Sequence, residues 1–175
     1  MTKRSEIDGA MQKDMGVYLQ NLERNFHVVT RVKPLLAKPN SKTTSYEISD
    51  QFLRFWFRFI WPYQSLIERQ QMAALRQNMS NSYEQFSGKT LERYFKEKFM
   101  ETGAYTMVGN WWDRNGVNEI DMIALNEFEH KGIVAEIKRN PDKINISTLE
   151  EKVLALPKEF DKYNLSSMAL SIENM

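Results

Sequence analysis

The chain has no cysteine among its 175 residues. Disulfides, a thiol nucleophile and a thiolate zinc site are therefore excluded. Histidine is almost as scarce, with only His27 and His130, so a histidine-rich metal cluster is excluded as well. Any bound metal must be an oxygen-preferring cation such as Mg2+, Mn2+ or Ca2+. Net charge is nearly absent too, at +1, so nucleic-acid binding has to rest on a local basic surface. Long apolar runs are missing. The most apolar stretch, FLRFWFRFIWP from Phe52 to Pro62, is interrupted by Arg54 and Arg58 and falls short of the roughly 20 apolar residues a bilayer span needs. The opening MTKRSEIDGA lacks the apolar core of a secretory signal. These absences lead to the expectation of a soluble, cytoplasmic protein with no membrane partner. No internal repeat or low-complexity run is present.

What remains is a chain long enough for one domain, or a small domain with an appendage, with ample apolar content for a core. DMGVYLQNLER (14–24) has a helical stripe of Met15, Tyr18, Leu19 and Leu22, with Asp14 placed to cap it. FHVVTRV (26–32) and SYEIS (45–49) read as strands around the turn material KPNSKTT. Helix, strand, turn, strand is the latter half of a winged helix-turn-helix, in which Lys33, Lys38 and Lys42 would lie on a DNA-contacting wing. With so few charges, a solvated hairpin tip is the simpler expectation. Residues 49–77 should be helical and re-aimed at Pro62, with aromatics nearly all round and hence buried on several sides. Residues 82–103 read as a further helix with Phe86, Leu91, Tyr94, Phe95 and Phe99 as buried positions. Its SGKT resembles the tail of a phosphate loop, but Tyr83 stands where that loop needs its first glycine. ATP binding is therefore rejected. Three strands follow, at 104–112, 118–125 and 131–138, the last two joined by a loop short enough for a hairpin. A helix from Ser147, with Glu150 at capping-box spacing, and one more strand near the end complete the pattern. Trp111, Trp112 and Asp113 are read as structural.

Chemistry concentrates on two strands. NEIDMIAL carries Glu119 and Asp121 at its start, and GIVAEIK carries Glu136 and Lys138 at its end. In an antiparallel hairpin these ends are neighbours, which brings Asp121 beside Glu136. Alternation puts Glu136 and Lys138 on one face and Ile137 on the other. Two unpaired carboxylates repel, and a divalent cation between them removes the conflict. Asp121, Glu136 and the main-chain carbonyl of Ile137 are the candidate ligands, with Mg2+ or Mn2+ as the cation. Such a site suits phosphodiester hydrolysis, with Lys138 steadying charge on the phosphate. The same residues also fit an ordinary surface charge pair at strand ends, of a kind that contributes little.

At these positions EID, followed by EIK, resembles the PD-(D/E)XK pattern of restriction-endonuclease-like proteins, with Ile120 where the proline would stand. The resemblance implies metal- and phosphate-site roles for Asp121, Glu136 and Lys138, with Glu92 of GKTLERYF as the accessory acid. Lys138, Arg139 and Lys152 are the candidate nucleic-acid contacts, with Lys152 fitting a solvated helix face equally well. More specifically, YEISDQFLRFWFRFIWP followed by GNWW, NEIDMIAL and AEIK resembles the C-terminal region of archaeal-type AAA-class ATPases over roughly residues 14–155. That family implies an α/β fold: a restriction-endonuclease-like mixed sheet flanked by helices, after a winged helix and an aromatic linker helix. The corresponding divisions are 1–48, 49–80 and 81–175. The ATPase module and the first helix of the winged domain are not in the sequence, which leads to the expectation of a fragment or truncated product, with oligomer formation open. The implied function is metal-dependent DNA cleavage within a larger ATPase. The alternative is a non-catalytic module that binds nucleic acid or docks on the ATPase.

Overall fold

The computed structural model describes residues 2–38, 41 and 43–175. They fall into two compact units, residues 1–33 with 41–83, and residues 34–40 with 84–175. Lys42 of the expected wing lies outside the described residues.

The first unit begins with strand β1 (Thr2–Lys3) and helix α1 (Arg4–Met11), where the sequence pattern gives no element. The reason is physical: α1 buries no residue and so leaves no apolar stripe. Polar contacts fix it instead. The Lys3 backbone N–H donates to Glu6 Oε2 at 2.9 Å, and Arg4 pairs with Asp8 at 3.4 Å and with Asp14 at 2.7 Å. Helix α2 (Gly16–Arg24) buries Leu19, and strands β2 (Val29–Val32) and β3 (Ser45–Ile48) follow. The three strands form an antiparallel sheet of order β1-β3-β2.

The aromatic segment departs from expectation. It starts as helix α3 (Gln51–Phe55), capped by Asp50, continues as a π-helical turn (Trp56–Ile60), and tightens to a 3₁₀ turn at Trp61–Tyr63 around Pro62. Helix α4 (Gln64–Glu68) gives way to a turn at Gln70, whose φ is +56°, and α5 (Met72–Glu101) then runs unbroken for 30 residues. Phe59 is fully buried, but Phe52 is 64% and Trp61 58% exposed, and Phe57 is exposed as well. Rings spaced all round a helix cannot all be covered by one small unit.

The second unit carries the larger core. Strands β4 (Met107–Trp112), β5 (Glu119–Asn126), β6 (Lys131–Ile137) and β7 (Asn164–Leu170) form a mixed sheet in the order β4-β5-β6-β7. The first three are antiparallel, and β7 runs parallel to β6. A parallel neighbour needs a crossover, which helix α6 (Ile146–Leu154) supplies. Its cap is Asn145, accepting from the Thr148 N–H at 3.1 Å, rather than Ser147. One face of the sheet is covered by Leu91 and Phe95 of α5, which meet Met122, Ala135, Ile137 and Leu170. The other is covered by Leu149 of α6 with Trp111, Ile123, Leu125, Val134, Phe160 and Tyr163. Because both faces are covered, β5 and β6 read as nearly continuous apolar runs. The protein is thus a mixed α/β structure. No helix among the described residues is long and apolar enough to cross a membrane.

Three local features correct or sharpen the reading. The connection after β2 is anchored at its start, while Lys33 and Lys38 are exposed and Pro39, Asn40 and Lys42 lie outside the described residues. Pro34 is buried, Leu35 and Leu36 pack on the core of the second unit, and the Leu35 N–H donates to the Asn110 carbonyl at 2.9 Å. SGKT lies inside α5, so its backbone is spent on the helix ladder and cannot cradle a phosphate. Gly132 has no room for a side chain: a Cβ there would stand 2.9 Å from the Ala124 carbonyl oxygen and 2.6 Å from a Leu125 methyl. Gly132→Val is expected to lower stability by about 1–3 kcal/mol or more through overpacking, read as a drop in the urea midpoint. A variant as stable as the parent would show that this part of the sheet is looser than described.

Candidate active site

The site forms where β5 starts and β6 ends. The β5–β6 ladder runs from the pair Asn126 and Lys131 to the pair Met122 and Ala135, so Asp121 and Glu136 are the residues just beyond its last pair. Asp121 also occupies an irregularity. Gly109 of β4 pairs with Ile123 of β5, but Trp111 pairs with Ile120. β5 therefore carries one extra residue within the Asp121–Met122 step, a bulge of the kind that re-aims a side chain. The Asp121 carboxylate turns onto β6, where Oδ2 accepts the Ile137 backbone N–H at 2.9 Å and the Lys138 Nζ at 3.0 Å.

Ile137 is buried under α5, while its flanking residues meet each other: Lys138 Nζ lies 3.4 Å from Glu136 Oε1. The ammonium thus touches both carboxylates. Asp121 is buried, and Glu136 is only 9% exposed. Glu136 Oε2 is buried with no hydrogen-bond partner. Lys138 is half-exposed, and its main-chain N–H donates to the Leu170 carbonyl at 3.1 Å, tying the end of β6 to β7. Burial works against the Lys138 charge, but Asp121 and then Glu136 outweigh it and hold the ammonium above the ordinary lysine range.

Helix α5 adds a second charged group. Glu92, buried and next to the core residue Leu91, pairs with Lys89 at 3.1 Å, and Lys89 also reaches Glu119 at 3.2 Å. Burial raises the Glu92 carboxyl above its ordinary value, Lys89 pulls the other way, and the Asp121 charge adds to the rise. Burial also opposes the Lys89 charge, yet Glu92 and Glu119 keep its pKa raised, and Asp121 contributes. Lys89 was not among the residues singled out from sequence, and Glu119 was noted at the start of its strand without a role. The signal was available for Lys89, which stands three residues before Glu92 on one helix face.

The raised Glu92 carboxyl has a pH consequence. The folded chain keeps the proton where the unfolded chain has lost it, so this group subtracts stability as pH rises from about 4.5 through the folded value. Glu92→Gln is expected to remove that contribution, flattening stability against pH on the alkaline side of 4.5. Urea unfolding at a series of pH values reads this. A slope identical to the parent's would show that Glu92 titrates as an exposed group.

Of the candidate nucleic-acid contacts, Arg139 follows Lys138 and lends charge to Glu84, which pairs with Lys143 at 2.6 Å. Lys152 stands half-buried in the last turn of α6, with no described hydrogen bond or ion pair to Asp121, Glu136 or Glu92. Trp111 and Trp112 are buried, and Asp113 closes the β4–β5 turn by accepting the N–H groups of Val117 and Asn118, each at 3.0 Å.

Two buried carboxylates, one of them with an oxygen (Glu136 Oε2) left without a partner, suit a hard divalent cation, which takes oxygen ligands. Among the described residues, no three His, Asp or Glu side chains cluster closely enough to hold a metal by themselves. Lys138 fills the space between Asp121 and Glu136 instead.

Residues 56–152, more than half of the chain, match the pattern of a family of archaeal and bacterial proteins of unknown function, DUF234. The chain belongs to that family. It is also 30% identical over 169 residues to an uncharacterized protein of Methanocaldococcus jannaschii. The match takes in 89% of this chain but only 37% of the relative's length. No solved structure matches the chain. The DUF234 match takes in the aromatic segment from Trp56 on, Glu92, both acidic strands and Lys138, and ends at Lys152.

Proposed function

We propose that this DUF234 chain carries a metal-dependent nuclease-like site of the PD-(D/E)XK type that hydrolyses DNA phosphodiester bonds. The observation behind the proposal is the convergence of two buried carboxylates, Asp121 and Glu136, on the Lys138 ammonium, with Glu136 Oε2 left unpartnered. Burying such charges is costly, and a site of this make-up is worth that cost when it serves chemistry. The four-stranded mixed sheet between α5 and α6 supports a restriction-endonuclease-like fold. Helices α1 and α2 ahead of an antiparallel hairpin support a partial winged helix-turn-helix.

Asp121, Glu136 and the Ile137 carbonyl would hold Mg2+ or Mn2+. When bound, such a cation polarises a phosphoryl oxygen and lowers the pKa of a coordinated water. The Ile137 N–H fixes the orientation of Asp121. Lys138 offers positive charge where negative charge grows on the phosphate. Glu92, its proton affinity raised by burial, is the accessory acid that can hold a proton near the site. Arg139 and Lys152 would neutralise flanking phosphates, making binding weaken as salt rises.

The chain spans little more than a third of its relative, and we assign the site to a larger cytoplasmic AAA-class ATPase whose ATP-hydrolysing module lies elsewhere. One observation favours a second reading, a docking module: Phe52, Phe57 and Trp61 present aromatic surface to solvent. Incubating the chain with labelled DNA and Mg2+ or Mn2+ separates the two. Cleavage that EDTA stops supports the nuclease. Metal binding with intact DNA at every substrate structure tried would leave the docking reading.

A further inference from the structure

Lys138 contacts both carboxylates proposed as cation ligands. Its Nζ is 3.0 Å from Asp121 Oδ2 and 3.4 Å from Glu136 Oε1. Both carboxylates are buried, and among the described residues this ammonium is the cation in ion-pair contact with both, with Lys89 acting on Asp121 only through charge at longer range. A Mg2+-like ion binds oxygen at about 2.0–2.1 Å and excludes other groups from that space. An ammonium and a divalent cation cannot share the gap, since each repels the other at contact distance.

The backbone around Lys138 is fixed. Its N–H is tied to the Leu170 carbonyl at 3.1 Å, and the Ile137 N–H to Asp121 at 2.9 Å. The side chain, by contrast, is half-exposed and has a route to solvent. Any rearrangement is therefore confined to the lysine's own torsions. Glu136 Oε2 adds a second sign of an exchangeable partner. One oxygen of this carboxylate is paired with Lys138, and the other is buried with nothing to accept from. A monovalent ammonium on one oxygen satisfies Glu136 only in part.

Resting on the metal reading of this site, we propose that Lys138 is a resident counter-cation which a divalent metal must displace. Metal entry and release of the lysine toward the phosphate are then one event. Without metal, the lysine neutralises the carboxylates and keeps the hairpin end closed. With metal, the carboxylates have a stronger cation, and the freed ammonium faces a substrate phosphate. The arrangement keeps the lysine from engaging a phosphate before the metal is in place.

Titration of the full chain with Mn2+ by calorimetry tests this, comparing wild type with Lys138→Met, which removes the charge and keeps the length. The displacement account expects Lys138→Met to bind Mn2+ about tenfold more tightly or better, because no resident cation opposes entry. Equal or weaker binding by the variant, with wild type binding normally, overturns displacement and leaves the metal reading intact. Binding by neither protein overturns both. A wild-type readout covers the case in which the variant does not fold. Amine acylation of Lys138, followed by mass spectrometry, should run several-fold faster with saturating Mg2+ than with EDTA. An unchanged or slower rate with Mg2+ bound contradicts the account.

Discussion

Asp121→Ala is expected to abolish Mn2+ binding and to reduce metal-dependent DNA cleavage by at least about 10²–10³-fold, the scale seen when one charge-stabilising group is removed from an active site. The variant takes away one of the two carboxylates that contact Lys138 and leaves Glu136 as its partner there. It also has a structural effect. Asp121 Oδ2 is the acceptor for the Ile137 N–H at the end of β6, and a buried donor left unpaired costs about 1–3 kcal/mol. Asp121→Asn separates the two contributions. The amide oxygen can still accept from Ile137, so most of the stability should return, while metal binding should stay weak because the charge is gone. Calorimetric Mn2+ titration and urea unfolding on both variants read this. If Asp121→Ala binds Mn2+ like the parent, Asp121 is not a ligand.

Phe95→Ala carries the largest expected loss of stability, about 3–5 kcal/mol for a buried aromatic removed from a packed core. Phe95 is 1% exposed and sits with Leu91 against Met122, Ala135 and Ile137. These contacts hold α5 on the sheet, and the same helix carries Lys89 and Glu92 to the site. The variant should therefore unfold at lower urea and also weaken the coupling of Glu92 to Asp121. Unfolding followed by tryptophan emission is suited to this, because Trp111 and Trp112 are buried in β4. A loss below about 1 kcal/mol would mean that α5 is not held to the sheet by this cluster.

The parts of this architecture legible in the sequence are those with strong periodic or compositional signals. β5 and β6 announce themselves as apolar runs, and the short link between them fixes an antiparallel register. Asn126 builds that link, its Oδ1 accepting from the Phe128 and Glu129 N–H groups at 3.1 and 3.0 Å. Register alone brings Asp121 and Glu136 to the same end of the hairpin, where both contact Lys138. The alternation that sends Ile137 to the core and pairs Glu136 with Lys138 follows from strand geometry.

The remainder depends on tertiary contacts that leave little local trace. The extra residue in β5 has no signal of its own, since neither Asp121 nor Met122 is a glycine. Helix α1 is held by charge pairs rather than by an apolar face, and so escapes periodicity. Leu35 and Leu36 look like part of a turn between two strands, and only the second unit's core explains them. The exposed rings of the aromatic segment show the converse: the pattern predicted burial, yet Phe52, Phe57 and Trp61 stand exposed. Asn145 displaces Ser147 as the cap of α6 because both stand close to the helix start and either can accept from its free N–H groups.

The most direct measurement is a crystal structure of the chain soaked in Mn2+, with data collected at the manganese absorption edge. The account predicts an anomalous peak between Asp121 and Glu136, with the Lys138 side chain withdrawn from both. A peak elsewhere, or none with Lys138 still bridging the two carboxylates at saturating Mn2+, would contradict it.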